Sequence, residues 1–248
     1  MNRLLFSFFI TILAGFFTML GAFVLMLFNK KSDSIITGAL SFASSVMITI
    51  SIVDLIPNGY LYISKYYLFN YNLIITIFFI LLGMILSFIL DKKITTKKDN
   101  KLYAVGLISL ITIMLHNIPE GIATFIITNN DIKLGILLAI SIAIHNIPEG
   151  ICISMPIYYA TNNKKLANFY TFIAAIAEPI GAVIAFLFLR NLNDLFIGLL
   201  FSFIGGLMIG ISINELLPMA LKYKKSKIFI IFLILGFLIM IFNHLLLC

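Results

Sequence analysis

Stretches of twenty or more predominantly apolar residues follow one another along nearly the whole chain, broken only by short polar segments. A helix needs about 20 such residues to cross roughly 30 Å of hydrocarbon. Only 11% of the 248 residues are charged and 62% are hydrophobic, against about a quarter and about a half in soluble domains. The chain therefore reads as an all-α polytopic membrane protein with eight transmembrane helices. They are expected near 4–28, 34–57, 72–91, 102–127, 133–159, 166–189, 194–221 and 227–247. The connections leave no room for a separate soluble domain, so residues 1–248 read as one transmembrane domain. The first run, Leu4 to Phe28, is longer than a signal-peptide core and has no small-x-small cleavage site after it; it reads as a retained span.

Charge sets the expected orientation. Lys30, Lys31, Lys92, Lys93, Lys97, Lys98, Lys101, Lys164, Lys165, Lys222, Lys224, Lys225 and Lys227 follow spans 1, 3, 5 and 7. The opposite side holds Arg3, Lys65, Lys133 and Arg190. Cytoplasmic loops carry the excess of lysine and arginine, so both termini are expected outside a multi-pass plasma (inner) membrane protein. The net charge of +7 then belongs to topology and anionic lipid, and no nucleic acid is expected. Cys152 and Cys248 are too few for a disulfide framework. Cys152, in an apolar segment, reads as a small hydrophobe.

Against this background the polar residues inside the spans stand out. HNIPEGI occupies residues 116–122 and, letter for letter, residues 145–151. His116 and Glu120 are four apart and Asn117 and Glu120 three apart, so all three lie on one stripe of a helix. His145, Asn146 and Glu149 repeat the pattern, and span 6 adds Glu178 in AEPIGA. An ionised group at mid-bilayer costs several kcal/mol unless it is paired, solvated or bound to an ion. Helix contacts in membranes rest mostly on small and neutral polar residues, so three glutamates and two histidines on adjacent spans point to an ion. Imidazole, carboxylate and amide oxygen without thiolate suit zinc, iron, cobalt or nickel, and manganese through the oxygens; all-oxygen calcium and magnesium sites fit less well. Two clusters sharing Glu120 and Glu149 could hold two ions. Pro119, Pro148 and Pro179 free the carbonyls of Leu115, Ile144 and Ala175, which then need partners. Gly121, Gly150 and Gly181 would let helices approach closely.

HNIPEG on two successive spans, followed by EPIGA on the next, resembles the ZIP (Zrt/Irt-like) family of metal transporters, in its bacterial ZupT branch. The resemblance covers essentially the whole chain. It implies inverted three-helix repeats around spans 4 and 5, and a binuclear metal site between spans 4, 5 and 6. By motif position the first site would use His116, Glu120, His145 and Glu149. The second would use Asn117, Glu120, Asn146, Glu149 and Glu178. It also implies movement of zinc, iron(II), manganese and cobalt toward the cytoplasm as cargo, with no resident cofactor. The partners expected are those ions, membrane lipid and a second copy of the chain. The segment after span 3, DKKITTKKDNK, lacks the histidines that many members carry there, so no metal-capture role is expected of it. Asp54 in SIVDLIP and Glu215 in SINELLP resemble acidic positions on the family's access and exit paths, with helix contact as the plainer reading. His244, near the end of span 8, reads as an interfacial histidine rather than a ligand.

The alternative is an intramembrane metal-dependent hydrolase, because HNIPE superficially resembles HExxH. The second histidine of that motif is absent, and every carboxylate has a ligand role, leaving no spare base. A proton or organic-ion relay would give the histidine–asparagine pairs no purpose.

Overall fold

The computed structural model describes residues 3–27, 31–95, 100–188 and 193–247. Lys30, Lys97, Lys98 and Arg190 of the charge comparison, Phe28 at the end of the first apolar run, and Cys248 lie outside them. The described residues form helices and no strand. Eight helices are long and apolar enough to cross a membrane: α1 (Arg3–Leu27), α2 (Asp33–Ser64), α3 (Phe69–Thr95), α4 (Lys101–Asn130), α5 (Ile132–Thr161), α6 (Lys164–Phe188), α7 (Asp194–Lys222) and α8 (Ser226–Leu247). The protein is an all-α polytopic membrane protein.

The helix termini are written in the local sequence. Ser32, Asn100 and Asn193 cap α2, α4 and α7, each side chain accepting a hydrogen bond from a first-turn amide. Asp131 serves two helices at once. Its amide donates to the Ile127 carbonyl at the end of α4, and its carboxylate accepts from Lys133 and Leu134 at the start of α5. A one-residue connection of this kind forces α4 and α5 to run antiparallel side by side.

α2 runs seven residues beyond its expected end at 57. Pro57 does not stop it, because residues Ser51–Leu55 form a π-helical turn and the proline falls in the first turn of the helix that continues, where its missing N–H is no loss. α7 repeats the device. Ser212–Leu216 is π-helical, and Pro218 opens the next stretch.

Two bundles result. α1, α4, α5 and α6 pack on one another; α2, α3, α7 and α8 form the second group, joined to the first chiefly where α2 meets α5 and α3 meets α4. The packing has an internal correspondence. α1 lies on α5 as α6 lies on α4, and α8 lies on α2 as α3 lies on α7. The relation exchanges α1 with α6, α2 with α7, α3 with α8 and α4 with α5. α3 and α8 turn apolar side chains such as Phe78, Phe88, Ile231 and Phe242 outward, as a lipid-facing surface requires.

Within the first bundle the helices touch backbone to backbone. A Cβ on Gly121 would overlap the Glu178 carbonyl of α6, and one on Gly150 would overlap the Thr18 carbonyl of α1. Gly150→Ala should therefore destabilise the protein by about 1–3 kcal/mol, the usual cost of overpacking. Gly38→Ala, whose new methyl would have the movable Phe232 ring as its nearest neighbour, should cost clearly less. Thermal unfolding in detergent measures both, and equal transition temperatures for the two variants would contradict the close backbone contact.

Candidate metal centre

His116 lies fifteen residues before Asp131 and His145 fourteen after it. At about 1.5 Å rise per residue, both motifs sit roughly 20 Å from the hinge, so the antiparallel pair brings them face to face. Because the helices run in opposite directions, Glu120 comes level with His145, and Glu149 with His116. Glu120 Oε1 is 3.0 Å from His145 Nε2, in hydrogen-bond geometry, and 2.9 Å from His116 Nε2 on its own helix. The second contact is out of line for a hydrogen bond, so His116 Nε2 has no such partner among the described residues. Glu149 Oε1 is 3.5 Å from the same nitrogen. His116, His145 and Glu149 offer ligand atoms all within 4.8 Å of one another.

The asparagines are held by backbone. Asn117 Nδ2 donates to the Ala174 carbonyl of α6 at 3.3 Å, and Asn146 Nδ2 to the Ala14 carbonyl of α1 at 3.0 Å. Asn146 Nδ2 also makes a short hydrogen bond to Glu178 Oε1. Engaging each amide nitrogen leaves Oδ1 as the unused end. The carbonyls tied to the centre are thus Ala14 and Ala174. Of those freed by proline, Ala175 faces Gly15 of α1 closely enough to touch a Cβ there.

All seven predicted residues are buried, from 0% exposure for His116 to 6% for Glu120. Nine of their polar atoms have no hydrogen-bond partner among the described residues: both His116 ring nitrogens, His145 Nδ1, Asn117 Oδ1, Asn146 Oδ1, Glu120 Oε2, both Glu149 oxygens and Glu178 Oε2. Each buried polar atom left unsatisfied costs about 1–3 kcal/mol. Most of the nine are oxygens, which accept and do not donate, so the set is rich in acceptors and poor in donors.

Sequence reasoning placed the centre on α4, α5 and α6 and missed α1. The signal was present: TILAGFFTMLGA (11–22) matches TFIAAIAEPIGA (171–182) at Thr11, Ala14, Gly21 and Ala22. In that alignment Ala14 corresponds to Ala174, the two asparagine acceptors, and Thr18 to Glu178, whose carbonyls face Gly150 and Gly121.

A cavity of about 510 Å³ runs from Glu120 and His145 past Asp54, Asn58 and Tyr62 to Asn130 and Asp194. It ends where α4 finishes and α7 begins, with Asp194 held by Lys65 at 2.7 Å. Glu149 and His116 are not among the residues that line this cavity. The π turn of α2 aims Asp54 into the cavity wall. Its counterpart Glu215 is buried beside Asp91, outside the centre.

The sequence profile described as ZIP zinc transporter matches residues 93–244, which include both HNIPEG motifs, Glu178 and Glu215. This chain belongs to the ZIP family. Over their full lengths it is 39% identical to the zinc transporter ZupT of Oceanobacillus iheyensis. It is 37% identical to that of Streptococcus mutans, with 94% of each chain covered. The Clostridium perfringens zinc transporter ZupT is 33% identical, over 97% of this chain and 95% of that one. As a ZIP protein it is a transporter and not a hydrolase.

The donor set predicts where zinc binds in this ZIP chain. Glu149→Ala should weaken the tightest zinc binding by about tenfold or more, an interaction of at least about 1.4 kcal/mol. Glu215→Gln, remote from the cluster, should leave it within about twofold, less than 0.5 kcal/mol. Zinc competition with a chromophoric chelator reads both, and equal losses would remove the cluster as the site.

Proposed function

We propose that the protein carries zinc, together with iron(II), manganese and cobalt, into the cytoplasm across the plasma membrane. It does so through a two-ion centre of His116, Asn117, Glu120, His145, Asn146, Glu149 and Glu178. The single observation that carries this is the convergence in the first bundle of nine polar atoms, from all seven residues, that have no hydrogen-bond partner among the described residues. The name zinc transporter, borne by the relatives, supports zinc as the principal cargo. The lysine excess on the loops after α1, α3, α5 and α7 supports the direction, since it puts the open end of the 510 Å³ cavity outside.

A divalent ion cannot cross hydrocarbon with its water shell, and ligands must replace that shell along a path. Glu120 and His145 border the cavity and meet the ion first. His116 and Glu149, one turn further along their helices, take it beyond the reach of outside water. Glu120 and Glu149 are shared between the two sites, with histidine completing one and asparagine with Glu178 the other. Several ligands of middling strength suit transport better than a closed tetrahedral structural site.

Reconstituted protein should accelerate zinc uptake into liposomes, and Glu120→Ala or Glu149→Ala should abolish it. Wild-type uptake no faster than empty liposomes for zinc, iron(II), manganese and cobalt alike would sink the proposal.

A second test separates the two sites by chemistry. Imidazole favours zinc, and amide and carboxylate oxygen suit manganese or iron(II) better. His145→Ala should weaken zinc handling more than manganese handling, by about tenfold in relative affinity, or about 1.4 kcal/mol. Glu178→Ala should hurt manganese at least as much as zinc. Uptake competition between the two ions decides, and identical shifts for both variants would mean that the ligands are wrongly divided.

A further inference from the structure

A groove of about 420 Å³ lies where α2 and α8 meet α5. Ala39 and Phe42 of α2, Ile151 and Met155 of α5, and Phe232 and Leu235 of α8 form its walls. Of the described residues that line it, Ser34 alone is polar, and it marks the end where α2 and α8 begin. At about 1.5 Å per residue, the stretch from Ser34 to Phe42 covers roughly 12 Å. That is most of one leaflet's half of a hydrocarbon core roughly 30 Å thick. Phe232 and Leu235 on α8 are exposed, so the groove opens sideways, toward lipid.

The polar end of the groove is both fixed and basic. Tyr159, in the last turn of α5, accepts a hydrogen bond from the Ser32 amide and donates one to the Ser32 carbonyl, each at 2.9 Å. Lys31 Nζ donates to the Tyr159 carbonyl at 3.0 Å, one of the three bonds that an ammonium can make. α8 enters at the same level. Gly38 faces the Phe232 ring and Gly236 the Phe42 carbonyl, so the two helices run in step from a common side, and Lys31 comes level with Lys225. Lys31, Lys224, Lys225 and Lys227 are exposed at this end, and the acid beside them is Asp33.

We propose that the groove is a binding site for an anionic phospholipid, with one acyl chain along its apolar walls and the phosphate held by Lys31, Lys225 and Lys227. Charge complementarity selects the occupant. The walls suit hydrocarbon for most of a leaflet, and the lysines stand where that leaflet's headgroups begin, as in basic pockets between helices that hold anionic headgroups. A second copy of the chain suits the face less well, because two-fold packing through it would set the same lysines against one another. The bound lipid bridges the two bundles, since α5 belongs to the first and α2 and α8 to the second. It also lies on the helix of the metal centre, with Ile151 two residues after Glu149. The binding does not depend on which ion is carried.

The test uses the full chain in detergent and reads the first lipid bound by native mass spectrometry, with phosphatidylglycerol and phosphatidylcholine of equal chain length as probes. Phosphatidylglycerol should bind about tenfold more tightly, a preference that a few lysines at the headgroup level can supply. Lys225→Gln with Lys227→Gln, at exposed positions, should erase the preference and leave phosphatidylcholine binding unchanged. Leu235→Trp, on the exposed rim, should fill the groove and weaken both lipids. Phosphatidylglycerol should also raise the unfolding temperature of the wild type, because it binds the folded state, and should raise that of Leu235→Trp much less. Equal binding of the two lipids by the wild type, or a preference that survives the double lysine substitution, overturns the headgroup seat. Binding and stabilisation indifferent to Leu235→Trp overturn the groove. A dimer that Leu235→Trp dissociates, with no lipid preference, overturns the proposal in favour of a second copy.

Discussion

One carboxylate oxygen, Glu120 Oε1, stands within 3.0 Å of imidazole nitrogens from two different helices, in the buried interior of a membrane protein. Each of those groups would be costly alone in hydrocarbon. Together they lower one another's cost, yet they satisfy one another only in part. His116 Nε2, Glu120 Oε2 and both oxygens of Glu149 are left without hydrogen-bond partners among the described residues. A self-sufficient buried network would have paired them, because a half-satisfied one is worse than an apolar core. The imbalance is a surplus of acceptors, the charge balance that the proposed ion site requires.

Such a cluster needs rigid neighbours, and the first bundle supplies them through backbone rather than bulky side chains. Gly121 rests on the Glu178 carbonyl and Gly150 on the Thr18 carbonyl, contacts at distances that only glycine permits. That closeness lets Asn117 and Asn146 reach the carbonyls of Ala174 and Ala14 across the helix interfaces. The two halves are near copies in this respect, and they part at one pair. Where α6 presents Glu178, α1 presents Thr18, whose hydroxyl is buried without a partner among the described residues. The frame is pseudo-symmetric while its charge is not, so Asn146 is bridged to a carboxylate and Asn117 is not.

Much of this was legible in the sequence because it depends on spacing. The eight helices follow from apolar length, and the meeting of the two HNIPEG copies follows from their near-equal distances to Asp131. The reach of α2 to Ser64 was not legible, because a proline in an apolar run reads as an ending unless the preceding π turn is known. The part played by α1 was obscured for a different reason. It contributes a main-chain carbonyl, and carbonyls carry no residue signature; only the faint likeness of 11–22 to 171–182 hints at it. His244 lines a cavity with residues of α2 and α5, a neighbourhood that its place near a helix end does not reveal.

The π turns carry the correspondence between halves beyond the centre. SIVDLIP in α2 and SINELLP in α7 place an acid on an irregular turn just before a proline. The extra residue lets the proline follow without breaking the helix and swings the acid off the regular stripe. α2 and α7 run in opposite directions, so the two acids fall on opposite sides of the centre. Asp54 borders the central cavity and the one that His244 lines, whereas Glu215 is shut in beside Asp91. Equivalent parts therefore occupy unequal surroundings: one acid borders the cavity that reaches Glu120 and His145, and the other is closed over by packed side chains. An inverted repeat contains every part of the opposite arrangement already, so exchanging the two surroundings would require repacking of helices and no new chemistry. That economy ties the symmetry of the fold to the unequal surroundings of its two acids.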